Sequence, residues 1–381
     1  MLASANWSYP TAIRFGAGRS AEIAEACAAA GIRKPLLVTD RGLAALPMVQ
    51  SALALLDAAG LGAALFSGVD PNPTEINLAA GLEAYRGGEH DGVIAFGGGS
   101  ALDLGKLVAF MSGQTRPLWD FEDIGDWWTR ADAQGIAPII ALPTTAGTGA
   151  EVGRAGVISN SQTHEKKIIF HPGILPCQVI CDPELTLSMP RPVTAGTGLD
   201  AFAHCLEAYC APNYHPMSHG IAIEGMRLVK ENLPKVYANG SDIEARGHMM
   251  AAAMMGATAF QKGLGAIHAI SHPIGARYNT HHGTTNAVVM PAVVRFNQPV
   301  IAEPVRRLAN YLDIPGGFEG FVEFLVELNA TLAIPKTLTE LGVADPDLDA
   351  LTAAALTDPS AAGNPLPMTP ETTRRLLQSC L

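Results

Sequence analysis

The chain has 381 residues, 48% of them hydrophobic, and a formal net charge of -11, a globular composition that suits two domains at roughly 100–200 residues each. The acidic balance argues against a nucleic-acid partner, which calls for a basic face, and gives an anionic membrane surface nothing to attract. Met1–Trp7 shows no basic and then apolar leader, and the longest apolar run, residues 249–260, is too short to span a bilayer, so a cytoplasmic protein without a membrane partner is expected.

In chain order, Pro35–Asp40 reads as a buried strand, residues 44–59 as a helix and Ala63–Phe66 as a second strand. A helix over Pro73–Tyr85 follows, then a strand at Gly92–Phe96 that runs into Gly97-Gly98-Gly99-Ser100. A helix over Ala101–Met111 and a strand over Ala137–Leu142 continue the rhythm. Strands alternating with helices imply a mostly parallel sheet covered on both faces. Leu118–Arg130, with Trp119, Trp127 and Trp128, reads as a loop. The alternation stops near Asp182–Pro190. Beyond it the period is helical: Gly198–Ala211, His219–Asn232, Ile243–Phe260 and then several shorter helices. We therefore expect an α/β, Rossmann-like domain over residues 1–190 and an all-helical domain over 191–381. The six cysteines form no CxxC pair and read as reduced thiols.

Two loops carry the first chemical signal. Gly97-Gly98-Gly99-Ser100 lies between a strand and a helix, where glycine lets backbone N–H groups approach a pyrophosphate and the helix dipole favours the anion. The spacing is not GxGxxG, and a purely structural glycine turn is the plainer alternative. Pro143 to Glu151, rich in threonine and glycine, also follows a strand. Two such loops at strand ends suit one extended dinucleotide at the crevice of a sheet. Asp40 ends an earlier strand, where a carboxylate would accept ribose hydroxyls and repel a 2′-phosphate, favouring NAD over NADP.

The second signal is a cluster of metal-ligand residue types. Asp200 and His204 are spaced i, i+4 on a helical stretch, so they share a face. His268 and His272 repeat that spacing, and the doublet His281-His282 follows. Imidazoles with one carboxylate suit a divalent first-row metal. Spacing alone leaves open which of His268, His272, His281 and His282 bind. His164, His171, His215, His219 and His248 lack comparable neighbours and read as surface or core residues.

Taken together, the motifs resemble the iron-containing, group III alcohol dehydrogenases. They comprise Val38 to Leu43, Asp70-Pro71-Asn72-Pro73-Thr74, Gly97 to Asp103, Pro143 to Glu151, Thr197 to Tyr209, His268 to Gly275, and His282-Gly283 with Asn286-Ala287. The resemblance covers nearly the whole chain. It implies the two-domain plan shared with dehydroquinate synthase. It also implies Asp200, His204, His268 and His282 as ligands of Fe²⁺ or Zn²⁺, with His272 beside the substrate as the catalytic proton relay. Asp40, Asn72, Gly97, Gly98, Gly99, Ser100, Asp103, Thr144, Thr145, Thr148 and Lys166 are implied as the NAD site, and a homodimer or larger homo-oligomer as the assembly.

Departures from the common pattern bear on the substrate, not on the ligands. Ala150, Gly153 and Ala155 differ from many relatives, and Gln261-Lys262-Gly263 and His281-His282 are similar to the branch that oxidises 4-hydroxybutyrate. The expected reaction is hydride exchange between NAD and a small alcohol, diol, ω-hydroxy acid or the matching aldehyde. Lys262 or Arg277 is the candidate partner of a substrate carboxylate. The alternatives are a metal-independent enzyme like maleylacetate reductase and a lyase like dehydroquinate synthase.

Overall fold

The computed structural model describes residues 5–7, 11–163 and 165–381; Met1–Ser4, Ser8–Pro10 and His164 lie outside the described residues. Its contacts divide the chain into two units, Met1–Thr145 with Gly149–Leu187, and Ala146–Thr148 with Ser188–Leu381.

The first unit is built on a sheet of seven strands in the order β1-β2-β9-β6-β5-β3-β4. These are β1 (Ala5–Trp7), β2 (Ala12–Phe15), β3 (Pro35–Asp40), β4 (Ala64–Val69), β5 (Gly92–Gly97), β6 (Ile139–Pro143) and β9 (Gln178–Cys181). Only β1 pairs antiparallel, on β2; all other pairs in this sheet are parallel. A separate antiparallel hairpin joins β7 (Ala155–Ser159) and β8 (Lys166–Phe170).

Every residue of β5 is buried, as an unbroken apolar run covered on both faces requires. Alternate residues of β3 serve opposite faces. Leu36 and Val38 pack with Leu104 and Phe110, whereas Leu37 packs with Ile23 and Leu56. The helices are α1 (Ile23–Ala30), α2 (Arg41–Ala44), α3 (Pro47–Ala58), α4 (Glu75–Gly87) and α5 (Gly99–Met111). The helix expected over residues 44–59 is α3, and the short α2 precedes it directly after β3. Asp40 caps α2 by accepting the Leu43 N–H at 2.9 Å, and Pro47 opens α3, where its missing N–H costs nothing.

After β3 the chain places β4 on one side and then returns to place β5 on the other. The carboxyl ends of β3 and β5, at Asp40 and Gly97, therefore flank the point where strand order reverses. Open parallel sheets bind their ligands at that point.

The second unit is helical: α6 (Arg191–Cys210), α7 (Pro216–Ala238), α8 (Ile243–Ala259), α9 (Ala266–Tyr278), α10 (His282–Tyr311), α11 (Gly317–Thr331), α12 (Leu348–Thr357) and α13 (Pro370–Ser379). α6 is the central helix, buried from Thr194 to Tyr209 save Thr197, and packed by α7, α8 and α10. α10 is longer than the short helices expected there, although Pro291, Pro299 and Pro304 lie inside it. Proline removes the N–H that would bond the carbonyl four residues back. For Pro291 that carbonyl is Ala287, and the Asn329 side chain of α11 takes it at 2.7 Å. Tertiary packing thus overrides the breaker. Among the described residues no helix is long and apolar enough to cross a membrane, and none of the six cysteines is in a disulfide.

Candidate metal centre and dinucleotide loops

In the second unit, α6 presents Asp200, His204 and Glu207 at positions i, i+4 and i+7, on one face. All three are buried, as is His268 in the first turn of α9. One Asp200 oxygen, Oδ1, gathers the imidazoles: Nε2 of His204 at 3.8 Å, of His268 at 3.7 Å and of His282 at 3.5 Å. Ligand atoms of Asp200, His204 and His268 all lie within 4.8 Å of one another. Tetrahedral ligands held about 2.1 Å from a metal sit roughly 3.4 Å apart, so this spacing encloses a small cation with slight contraction.

His282 reaches Asp200 because α10 begins hard against α6. A Cβ on Gly283 would lie 2.1 Å from the Gly196 carbonyl oxygen and 3.0 Å from Asp200 Cβ. Only glycine permits that approach.

The donors in this pocket are few. Asn286 Nδ2 donates to Asp200 Oδ1 at 2.8 Å and lies 3.3 and 3.2 Å from Nε2 of His268 and His282. One neutral amide thus faces a buried carboxylate and two imidazole nitrogens. Such a concentration of lone pairs, shielded from water, is the donor set that a divalent cation completes.

Burial pushes the Asp200 carboxyl up, but His204, His282 and His268 outweigh it and hold it well below the usual range. Burial brings His204 down to about 4, which keeps its ring neutral and able to coordinate. Burial also opposes charge on His268, but Glu207 and Asp200 outweigh it and push that ring up to about 10.

The four candidate histidines separate cleanly. His268 and His282 face Asp200. His281 caps α10, its Nδ1 accepting the Thr284 N–H at 3.3 Å. His272 stacks on His282, with ring centroids 5.3 Å apart, and its Nδ1 lies 2.8 Å from Asp358 Oδ2. Two of the histidines read as surface or core residues also prove to be caps: His171 accepts from the Gly173 N–H and His215 from the Ser218 N–H.

Lys262 is turned inward, 3% exposed, with Nζ donating to the Tyr209 carbonyl at 2.9 Å and lying 2.6 Å from His219 Nε2. Arg277, near the end of α9, is exposed. Two residues that carry site structure were given no role from sequence. Glu207 shares the Asp200–His204 face, so spacing alone was sufficient signal. Asp358 lies 86 residues from His272, and no local pattern links them.

In the first unit the two loops lie side by side, because Gly97 at the end of β5 pairs with Pro143 at the end of β6. Thr144 N–H donates to the Gly97 carbonyl at 2.9 Å. Gly98 is the N-cap of α5 and has no side chain, so the helix start presents backbone donors. Asn72 is exposed in the β4–α4 connection, Thr145 is half-buried beside Gly98, and Lys166 opens β8. Ser100 Oγ donates to the Pro71 carbonyl at 2.7 Å, which ties the glycine loop to the Asp70–Thr74 turn. Asp103 faces inward instead. Its Oδ1 is 2.8 Å from Lys106 Nζ, and its Oδ2 accepts the Val157 N–H at 3.1 Å, so it fastens β7 to α5. Thr148 belongs to the three-residue segment grouped with the second unit.

Family models match both halves of the chain: iron-containing alcohol dehydrogenase over residues 10–183, and the C-terminal part of the Fe-containing alcohol dehydrogenase family over residues 194–381. The chain is 38% identical to a 4-hydroxybutyrate dehydrogenase of Cupriavidus necator, over 98% of this chain and 99% of that one. Among solved structures it resembles a 1,3-propanediol oxidoreductase, with TM-score 0.93 and 32% identity over the whole of both chains. It also resembles a sulfoacetaldehyde reductase of Bifidobacterium kashiwanohense in complex with NAD⁺, with TM-score 0.88 and 27% identity over 100% of this chain and 98% of that one. An α/β unit with paired phosphate-type loops, a helical unit with one carboxylate and three imidazoles drawn together, and family matches across both halves converge: the chain belongs to the iron-containing alcohol dehydrogenase family and is an alcohol oxidoreductase.

Proposed function

We propose that the enzyme exchanges a hydride between NAD(H) and a small primary alcohol, diol or ω-hydroxy acid, using a divalent metal, Fe²⁺ in preference to Zn²⁺. The observation that carries this reading is the convergence of three imidazoles on one buried carboxylate oxygen. Asp200, His204, His268 and His282 would hold the metal. Asp40, Asn72, Gly97, Gly98, Gly99, Ser100, Thr144, Thr145, Thr148 and Lys166 would hold the dinucleotide, and Asp103 would support their loop from below. Residues 1–190 would then be the dinucleotide domain and 191–381 the metal and substrate domain. The NAD⁺ complex of the sulfoacetaldehyde reductase supports the cofactor. When bound, the cation supplies Lewis acidity to the alcohol oxygen and the dinucleotide supplies the hydride acceptor.

The chain's own part is positional and protonic. The Asp358 carboxylate accepts from Nδ1–H of His272, which fixes the tautomer and leaves Nε2 to take the alcohol proton. A carboxylate at the end of β3, Asp40, would repel a 2′-phosphate, which favours NAD. Similarity to a 4-hydroxybutyrate dehydrogenase and a 1,3-propanediol oxidoreductase supports a short substrate with a second polar end. Free cysteines accord with a cytoplasmic setting, and a homodimer or larger homo-oligomer is the assembly we propose.

An NADH-linked screen of small alcohols, diols and hydroxy acids, with the protein loaded separately with Fe²⁺ and Zn²⁺, tests the reading. NADH should accumulate with 4-hydroxybutyrate or 1,3-propanediol, most strongly with Fe²⁺. No net NADH with any alcohol would contradict it and turn attention to a lyase that recycles its cofactor.

A further inference from the structure

α9 has no side-chain cap of its own, since its N-cap residue is Gly265. Its first two N–H groups are instead taken by residues distant in sequence. Ala266 N–H donates to Asn364 Oδ1 at 3.1 Å, and Ile267 N–H donates to Glu207 Oε1 at 2.7 Å. A Cβ on Gly265 would lie 2.9 Å from Asn364 Oδ1 and 3.0 Å from Glu207 Oε1, so the helix end approaches both acceptors only because that position is glycine. Asn364 is fixed in turn by a reciprocal amide pair with Asn297, at 2.8 and 2.9 Å.

The second oxygen of Glu207 does something different. Oε2 lies 2.6 Å from Nδ1 of His268, and both residues are buried. A carboxylate oxygen can only accept from that nitrogen, so Nδ1 keeps its proton, and Nε2 is the nitrogen left to give its lone pair to a cation, whose binding displaces the second proton that the ring holds without it. That Nε2 is the atom 3.7 Å from Asp200 Oδ1. With Oε1 anchored on the helix backbone, Oε2 has little freedom left, and the imidazole it holds is aimed by the same carboxylate that docks α9 onto α6. Carboxylates that receive the outer N–H of a ligating histidine set its tautomer and raise its basicity.

We propose that Glu207 is the positioning residue of the metal centre: it fixes His268 in the coordinating tautomer while holding the start of α9 against α6. This rests on the metal-centre reading above. Glu207→Gln keeps the size but offers one acceptor oxygen for two donors. If that oxygen stays on Ile267 N–H, the amide NH₂ faces Nδ1 and drives the imidazole proton to Nε2, where it blocks the cation.

The test is Zn²⁺ affinity of the full chain, measured by chelator competition without turnover, for wild type, Glu207→Gln and Asn364→Ala. Asn364→Ala removes the neighbouring cap of the same helix end but leaves the Glu207–His268 bond. Glu207→Gln should weaken Zn²⁺ binding about 10–100-fold. Asn364→Ala should lower Tm and cost only a few-fold in affinity. Wild-type affinity in Glu207→Gln, or equal losses in both variants, would overturn the proposal and leave the metal centre intact. A wild-type chain that takes up no Zn²⁺ would overturn the metal-centre reading beneath it. Should Glu207→Gln fail to fold, ¹⁵N spectra of the wild-type Zn²⁺ form decide: a proton on Nδ1 of His268 is expected, and a proton on Nε2 would refute the role.

Discussion

His272 and Asp358 form a half-buried pair, Nδ1 to Oδ2 at 2.8 Å, beside but outside the cluster around Asp200. Burial raises the Asp358 carboxyl, but the His272 and Ser360 donors outweigh it and hold it low. It therefore stays an acceptor. We expect His272→Ala to lower kcat about 10²-fold or more, the scale of a lost proton relay. Asp358→Asn should lower kcat by a smaller factor with KM little changed. The double variant should be no worse than His272→Ala alone, since the two act as a unit. Additive losses in a double-mutant cycle would show that Asp358 acts elsewhere, for instance through its cap on the Ser360 N–H at 2.8 Å.

Gly283 offers a steric test of the metal centre that touches no ligand atom. Its missing side chain lets His282 approach Asp200, and a Cβ there would meet the Gly196 carbonyl oxygen at 2.1 Å. Gly283→Ala should push α10 away from α6 and reduce bound metal by more than the roughly 10–100-fold typical of a lost outer partner. Gly220→Ala, where a Cβ meets nothing within 4 Å, should leave metal content alone. Equal metal content in the two variants would remove His282 from the ligand set.

Glu151 provides a pH dependence of stability. It is 3% exposed, and burial pushes its carboxyl from 4.5 up to about 7, with Lys106 partly opposing and Asp103 adding to the rise. A raised carboxyl binds its proton more tightly in the folded than in the unfolded chain. Its favourable contribution is complete below pH 4.5 and is lost as pH rises through about 7. The loss is on the order of 3 kcal/mol. Glu151→Gln should therefore raise Tm relative to wild type at pH 8 and change it little at pH 5. A Tm gain at pH 5 as large as at pH 8 would contradict the ionisation argument.

How much of this was legible in the sequence depended on how local each feature is. The buried strand Pro35–Asp40 and the i, i+4 pair Asp200 and His204 are short-range patterns, and the fold keeps them. Strand β2 was silent, because its parallel register partner β9 lies about 165 residues away, as Ala12 opposite Gln178 shows. Three prolines disguised α10, because the partner that relieves Pro291 sits on another helix. Periodicity does not distinguish His281 from His282: a helix-capping ring and a ring that faces Asp200 are neighbours in sequence, and only the cap geometry separates them.

The same distinction between local type and tertiary placement bears on the substrate. Lys262 looked available to a carboxylate, but the fold commits its Nζ to Tyr209 and His219 and burial lowers it to about 8. Lys262→Met should lower stability while leaving the ratio of kcat/KM for 4-hydroxybutyrate over 1,4-butanediol unchanged. Arg277→Met should reduce that ratio, because Arg277 remains exposed near the end of the helix that carries His272. The opposite pattern of ratios would return Lys262 to the substrate.

The proposed reaction requires a cation held by Asp200, His204, His268 and His282. The most direct measurement is NADH formation from 1,3-propanediol or 4-hydroxybutyrate by protein stripped of metal, before and after addition of Fe²⁺ or Zn²⁺, with bound metal quantified in the same samples. Activity should vanish on stripping and return in proportion to about one metal per chain. Full activity in the stripped protein, as a metal-independent maleylacetate reductase-like enzyme would show, would contradict it.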